Sequence, residues 1–204
     1  HAAISDTRLY DQKLIMQTNV NSFYDILKIA QENSSTIVYA SSAATYGSTK
    51  SPQTVGSELP ENPYGYSKFV MDQIAMEYSN ENPNMIISGL RFFNVYGPRE
   101  FFKNNTASMV IQLAHQVLDG RIPRLFNGSK DIMRDFVYIE DCIDLICNYS
   151  HKIHDGSALN ISTSIGTNFN QFAQKVLDIL NKKNTIVNSS SKPEGVFYRV
   201  GSTE

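Results

Sequence analysis

Ser42, in the run Ala-Ser-Ser-Ala-Ala-Thr-Tyr-Gly, is followed by Tyr64 and Lys68 in the run Asn-Pro-Tyr-Gly-Tyr-Ser-Lys. These three side chains have the types and spacing for proton transfer. Residues four apart share a helix face, so Lys68 can lie beside the Tyr64 ring. A neighbouring ammonium favours the phenolate and lowers a pKa that starts near ~10. Such a phenol can take a proton from an alcohol near neutral pH. The spacing alone is not diagnostic, because Tyr24 and Lys28 repeat it in an ordinary amphipathic stretch. Context separates the two. A Ser-rich strand end precedes the second match, and Asn62-Pro63 marks a helix start.

The elements that must position these groups alternate. Apolar residues recur at helical spacing from Leu9 to Asn33, and Thr36 to Ala40 is a short continuous β-rich run suited to a buried strand. Tyr46 to Asn62 is rich in Gly, Ser, Pro and Thr and reads as loop. A helix is expected over 63–80, a strand over 85–93 and a helix over 106–119. A strand at 136–139 precedes a helix capped by Asp141 and running through Asn148. A strand follows at 157–161, a helix opens at Asn168 or Asn170 and runs to Lys182, and a last strand is expected at 185–187. Strands alternating with helices imply crossovers and a parallel sheet, whose ligands bind beyond the carboxyl ends of the strands. Ser41-Ser42 and the run Asn94-Val95-Tyr96-Gly97-Pro98 both follow strands. The Tyr64 helix lies between them, so the three segments are expected to form one site.

Size and composition narrow the rest. At 204 residues and 41% hydrophobic, the chain can bury one sizeable core. Its formal charge of -2, with both signs mixed, argues against a nucleic-acid partner or a membrane surface. No apolar run approaches the ~20 residues of a membrane-spanning helix. Cys142 and Cys147 fall in one helical stretch, which disfavours a disulfide and fits a reducing, cytoplasmic compartment. His115, His151 and His154 lack partners at metal-ligand spacing, so no metal is expected. His1 is not an initiator methionine, and the run 198–204 reads as the start of a strand or turn. The chain is expected to be an excerpt of a longer protein.

Four ordered motifs give a sharper reading: Ser-Ser-Ala-Ala-Thr-Tyr-Gly, Asn-Pro-Tyr-Gly-Tyr-Ser-Lys, Leu-Arg-Phe-Phe-Asn-Val-Tyr-Gly-Pro-Arg-Glu and Arg-Asp-Phe-Val-Tyr-Ile-Glu-Asp. Over roughly 1–182 the chain resembles the extended short-chain dehydrogenase/reductases that act on nucleotide sugars. The resemblance implies an α/β fold, a Rossmann-like doubly wound parallel sheet with its N-terminal strands missing, and a smaller α/β substrate domain. Residues 1–95 would be the later part of the nucleotide domain. Residues 96–204 would be mostly sugar-nucleotide domain, with about 132–150 returning to the first. The family's Gly-x-x-Gly-x-x-Gly fingerprint is absent and would lie upstream of His1.

The resemblance also assigns roles. Tyr64 would be an acid/base, Ser42 would hydrogen-bond the reacting oxygen, and Lys68 would tune Tyr64 and hold the nicotinamide ribose. Ala2, Ala3, Ser5, Thr18, Val95 and Lys103 would join Lys68 around NADP, with NAD the other possibility. A nucleotide-diphosphate sugar would meet Ser42, Asn94, Asn105, Gln112, the loop Phe126-Asn127-Gly128-Ser129, and Arg134, which offers a fork to the diphosphate. At 105 and 112 other members carry Ser and His. A homo-oligomer is expected.

Departures from relatives narrow the reaction. Family dehydratases carry Asp-Glu after the Ser/Thr, and decarboxylases need a Glu there; this chain has Ala43 and Ala44. Alanine cannot move a proton. Redox epimerisation, or simple oxidation or reduction, remains. The resemblance places Lys103 as a second acid/base opposite Tyr64, with Phe101 and Phe102 expected to desolvate it and lower its pKa; otherwise it is an exposed loop lysine. A 4-epimerase or 4-reductase would use only Ser42, Tyr64 and Lys68. A non-catalytic nucleotide-sugar-binding remnant is the reading from another class. The segment after Asn188, with Lys192-Pro193-Glu194-Gly195, resembles sugar epimerases in general.

Overall fold

The computed structural model describes residues 3–149, 155–183, 186–188 and 198–199. His151, His154 and the run 192–195 lie outside them, as does Ala2.

The first helical region is α1 (Gln12–Ile15), a π-helical segment (Met16–Asn21) and α2 (Ser22–Glu32). Strand β1 (Ile37–Ser42) follows, then a 3-10 turn at Ala43–Tyr46. The expected loop leads to α3 (Pro63–Glu81). Asn62 caps this helix by accepting the Gly65 N–H at 2.8 Å, and Pro63 occupies the first turn, where its missing N–H costs nothing. Next come β2 (Ile87–Phe92), β3 (Asn94–Tyr96), a 3-10 helix (Glu100–Thr106) and α4 (Met109–Leu118). The chain continues through β4 (Arg124–Leu125), β5 (Met133–Tyr138), α5 (Ile139–Tyr149), β6 (Ala158–Ile161) and β7 (Gly166–Asn168). Helix α6 (Phe169–Ile179) precedes β8 (Val187–Asn188) and β9 (Tyr198–Arg199).

A parallel sheet in the order β1-β2-β6 forms the first layer. Its two faces follow from the two-residue period of a strand. Tyr39 and Ile87 pack with Phe23 and Leu27 of α2 and Met71 and Ile74 of α3. Leu90 and Ile161 pack with Cys142 of α5. Helices on both faces explain why β2 reads as a continuous buried run. A second sheet joins β3, β5, β7 and β9, with β5 antiparallel to β7 and parallel to its other partners. Its core gathers Leu113 of α4, Ile132, and Phe169 and Ala173 of α6.

Within 132–150, α5 contributes side chains to the first core, whereas β5 belongs to the second sheet. The strand that adds to β2 is β6, at 158–161. The expected cap at Asp141 is corrected, because α5 begins at Ile139 and Asp141 sits inside its first turn. Asn168 does cap α6, in a reciprocal box with Gln171. Cys142 is buried and Cys147 exposed, and both are free thiols. Among the described residues no helix is long and apolar enough to cross a membrane.

Candidate active site

Ser42 is the last residue of β1. Its hydroxyl oxygen accepts the Ala44 N–H at 3.1 Å, and its carbonyl accepts the Thr45 hydroxyl at 2.9 Å. That turn carries the chain sharply away from the sheet and leaves Ser42 half-buried at the strand end. The first turn of α3 packs directly upon it: a Cβ on Gly65 would stand 2.4 Å from the Ala44 carbonyl oxygen. Glycine is what allows Tyr64 and the Ser42 turn this close. Ser67 returns its hydroxyl to the Tyr64 carbonyl at 2.7 Å and accepts from Asn19 Nδ2 at 3.0 Å.

Lys68 follows one turn later and is only 4% exposed. Its Nζ donates to the Ala40 carbonyl of β1 at 2.7 Å and touches the Met71 sulfur at 3.8 Å. Burial lowers the Lys68 pKa to about 8, and the negative charge of Asp72 opposes that shift. A buried ammonium has three donors. Ala40 takes one and the thioether accepts weakly, so a donor is left for a ribose hydroxyl. The nicotinamide-ribose end of a dinucleotide therefore fits Lys68.

Asn94 and Val95 begin the second sheet, where β2 gives way to β3. The Asn94 amide donates to the Asp135 carbonyl at 2.8 Å, which leaves its own carbonyl oxygen to accept. With Lys103, Ser108, Arg134, Phe136 and Phe169 these residues line a cavity of about 350 Å³. Arg134 stands over the Phe169 ring, 5.7 Å from its centroid, and donates to the Met133 carbonyl at 2.8 Å. Its neighbour Asp135 accepts two bonds from Thr163 on Oδ1, from the N–H at 2.9 Å and the hydroxyl at 2.6 Å.

Lys103 lies on the 3-10 helix that walls this cavity and is exposed. Phe102 is 78% exposed, and the exposed Lys103 is not the partly desolvated lysine expected from its aromatic flanks. The side chains of Phe101 and Asn105 lie outside the described residues. Gln112 donates to the Ala107 carbonyl at 2.7 Å on the next helix. Phe126 to Ser129 form a turn, closed by the Ser129 N–H on the Phe126 carbonyl at 3.1 Å. Ser129 is buried, with its hydroxyl on Asn170, while Asn127 is exposed. Ala3 and Ser5 are exposed and Thr18 half-buried near the start of the chain.

Three groups of residues had gone unnoticed in the sequence. Asn19 clasps Ile4, accepting its N–H at 2.9 Å and donating to its carbonyl at 3.0 Å, and so anchors the segment around Ala3 and Ser5. Glu100 spans the Lys103 segment. It accepts from the Gly97 N–H at 2.9 Å, the Ser108 N–H at 2.7 Å and the Ser108 hydroxyl at 2.8 Å. Asp72, Arg91 and Glu58 form a buried charge cluster beside Lys68. Arg91 did carry a signal, since a charged residue inside an apolar strand needs a partner. Among the described residues no group of three or more metal-ligating side chains occurs.

The structure thus brings the Tyr-x-x-x-Lys helix onto the end of the parallel strand that closes with Ser42, and gathers Asn94, Val95, Lys103 and Arg134 around one cavity. The chain belongs to the NAD dependent epimerase/dehydratase family, whose pattern matches residues 2–162. It is similar to the ADP-L-glycero-D-manno-heptose-6-epimerase of Helicobacter pylori, with 40% identity and a TM-score of 0.85 over 94% of this chain. It spans 59% of that protein's length. The UDP-N-acetylglucosamine 4-epimerase of Methanobrevibacter ruminantium shares the fold, at 19% identity and a TM-score of 0.89 over 99% of this chain and 66% of that one. So does the UDP-glucose 4-epimerase of Thermotoga maritima, at 21% identity and a TM-score of 0.87 over 100% of this chain and 67% of that one.

Proposed function

We propose that this chain carries the proton-transfer residues of an ADP-glycero-manno-heptose 6-epimerase, an isomerase that works by transient oxidation and supplies heptose for lipopolysaccharide core. The carrying observation is the position of Lys103 in the wall of the cavity that also holds Asn94 and Arg134. This offers a second proton donor besides the Ser42, Tyr64 and Lys68 group. The 40% identity to the heptose epimerase supports the choice of sugar.

Lys68, Val95 and the Ala3–Ser5 segment would hold the nicotinamide dinucleotide, NADP in this reading, which would supply hydride transfer at the sugar carbon. Tyr64 takes the proton of the reacting hydroxyl, Ser42 donates a hydrogen bond to its oxygen, and the Lys68 ammonium favours the Tyr64 phenolate. The resulting ketone must present its other face to the same nicotinamide, which carries its oxygen away from Tyr64. Lys103 protonates the oxygen there. Arg134 holds the diphosphate, so the sugar can turn while the nucleotide stays in place.

The test is Lys103→Ala in the complete polypeptide, with both C6 epimers of the sugar quantified by NMR. Epimer interconversion should fall at least about 100-fold, in line with loss of a general acid, while reduction of bound cofactor by substrate persists. Full epimerisation by the variant would overturn the two-base reading. Turnover of UDP-glucose in place of the heptose would replace it with a 4-epimerase.

A further inference from the structure

The charge cluster beside Lys68 takes no direct part in the proposed proton transfers. Asp72 is 1% exposed and sits on α3 one turn after Lys68. Its Oδ1 accepts the Tyr39 hydroxyl at 3.0 Å, and its Oδ2 accepts the Ser41 hydroxyl and Arg91 Nε, both at 2.9 Å. Tyr39 and Ser41 belong to β1 and Arg91 to β2. One carboxylate thus ties the helix bearing Tyr64 and Lys68 to the strand residue next to Ser42.

Charge makes the arrangement more than a clasp. The titratable groups around Lys68 are Tyr64 and Asp72 on its own helix, Tyr39 on β1 and Arg91 on β2. Glu58 and Tyr46 lie behind Arg91, which donates to both. Two cations, Lys68 and Arg91, thus share this interior with two carboxylates, Asp72 and Glu58. Asp72 makes no direct ion pair with Lys68, since its oxygens already serve Tyr39, Ser41 and Arg91. It acts on Lys68 through space, where the low-dielectric interior screens weakly.

We infer that Asp72 is a positioning residue of this site: it fixes the Ser42 strand end against the Tyr64–Lys68 helix and is the buried countercharge that keeps Lys68 an ammonium. The inference rests on the reading of Tyr64 and Lys68 as the proton-transfer pair. Burial pushes the Asp72 pKa up, while Arg91 and the Ser41 and Tyr39 hydrogen bonds pull against that.

The test follows the Lys68 ammonium directly, by the pH dependence of its 13Cε shift in lysine-labelled protein, assigned with Lys68→Met. This readout needs no turnover, so it stands even if the reaction proves different. Asp72→Asn keeps the shape and removes the charge; the Lys68 midpoint should fall by one pH unit or more, and the alkaline limb of kcat should move down with it. An unmoved midpoint in folded Asp72→Asn would overturn the inference. Ser41→Ala supplies the control should Asp72→Asn fail to fold. It removes a dipole aimed at the carboxylate but leaves the charge, so the Lys68 midpoint should rise. A midpoint that stays or falls in Ser41→Ala would show loosened packing rather than lost countercharge, and would equally overturn it. If the Lys68 midpoint responds as stated while the pH–rate profile does not, the electrostatic link stands and the proton-transfer reading fails.

Discussion

Gly65 and Ala44 are in direct backbone contact: a side chain on Gly65 would begin 2.4 Å from the Ala44 carbonyl oxygen. This contact sets how near the Tyr64 turn comes to the turn that Ser42 starts. The obstacle is backbone, which cannot swing aside as a side-chain end can. Gly65→Ala should therefore displace the start of α3, costing about 1–3 kcal/mol as an overpacked site. Because Tyr64 moves with it, kcat should fall 10-fold or more, with a smaller change in KM. Urea unfolding and steady-state kinetics on one preparation check both halves.

Lys68 gives a pH signature of stability. Its folded pKa is lowered to about 8 by burial, with Asp72 opposing, from an unfolded value of 10.5. Below pH 8 both states hold the proton and the burial penalty is present in full. Between pH 8 and 10.5 the unfolded chain binds more protons than the folded one, so stability rises with pH through this group. Lys68→Met removes the term. The variant should be more stable than the parent at pH 7, by a few kcal/mol at most, and the difference should shrink toward pH 10. Thermal unfolding of the two proteins across that range measures it.

Glu100 meets three donors, from Gly97 and Ser108, at the two ends of the segment that carries Lys103. Only an acceptor on both oxygens satisfies them. Glu100→Gln would turn an N–H toward a donor, at a cost of about 1–3 kcal/mol. It should also loosen the placement of Lys103. Under the two-base reading, epimerisation falls more than the first oxidation does, and a single-turnover measurement of cofactor reduction separates the two.

The legibility of this chain follows the range of its interactions. Helix α3 and strands β1 and β2 could be read because Asn62-Pro63, the apolar runs and the intervening Gly/Ser/Pro loop are local signals. The short strands β3, β4 and β7 were missed, because two or three residues are too few to show alternation and their pairing partners are distant. The π-helical segment at 16–21 keeps an apolar pattern close to that of an α-helix, so nothing marked it. Ser42, Tyr64 and Lys68 could be chosen because motif and helix spacing coincide. Asp72 and Glu58 were invisible because a countercharge in space has no fixed spacing in sequence; Arg91, a charge inside an apolar strand, showed only that a partner was needed. Phe102 misled for a related reason: two aromatic neighbours suggest cover, yet adjacent residues on a tight helix point in different directions, and this one faces solvent.

Asn19 yields the last prediction. It is 2% exposed and joins three parts of the chain: the π-helical segment it sits on, the Ile4 backbone and the Ser67 hydroxyl of α3. All its amide atoms are used, so Asn19→Leu leaves the Ile4 N–H and carbonyl without partners and deletes a tie to the turn that carries Tyr64. Unpaired groups of that kind cost about 1–3 kcal/mol each when they stay buried. The segment from Ala3 to Ser5, proposed to meet the dinucleotide, loses its anchor as well. Cofactor affinity should drop about 10-fold, the equivalent of roughly one such bond, with kcat at saturating cofactor reduced much less. Titration of cofactor by calorimetry, set beside urea unfolding of the same variant, distinguishes the local effect from general instability. An unchanged cofactor affinity in a folded Asn19→Leu protein would remove the Ile4 segment from the binding site.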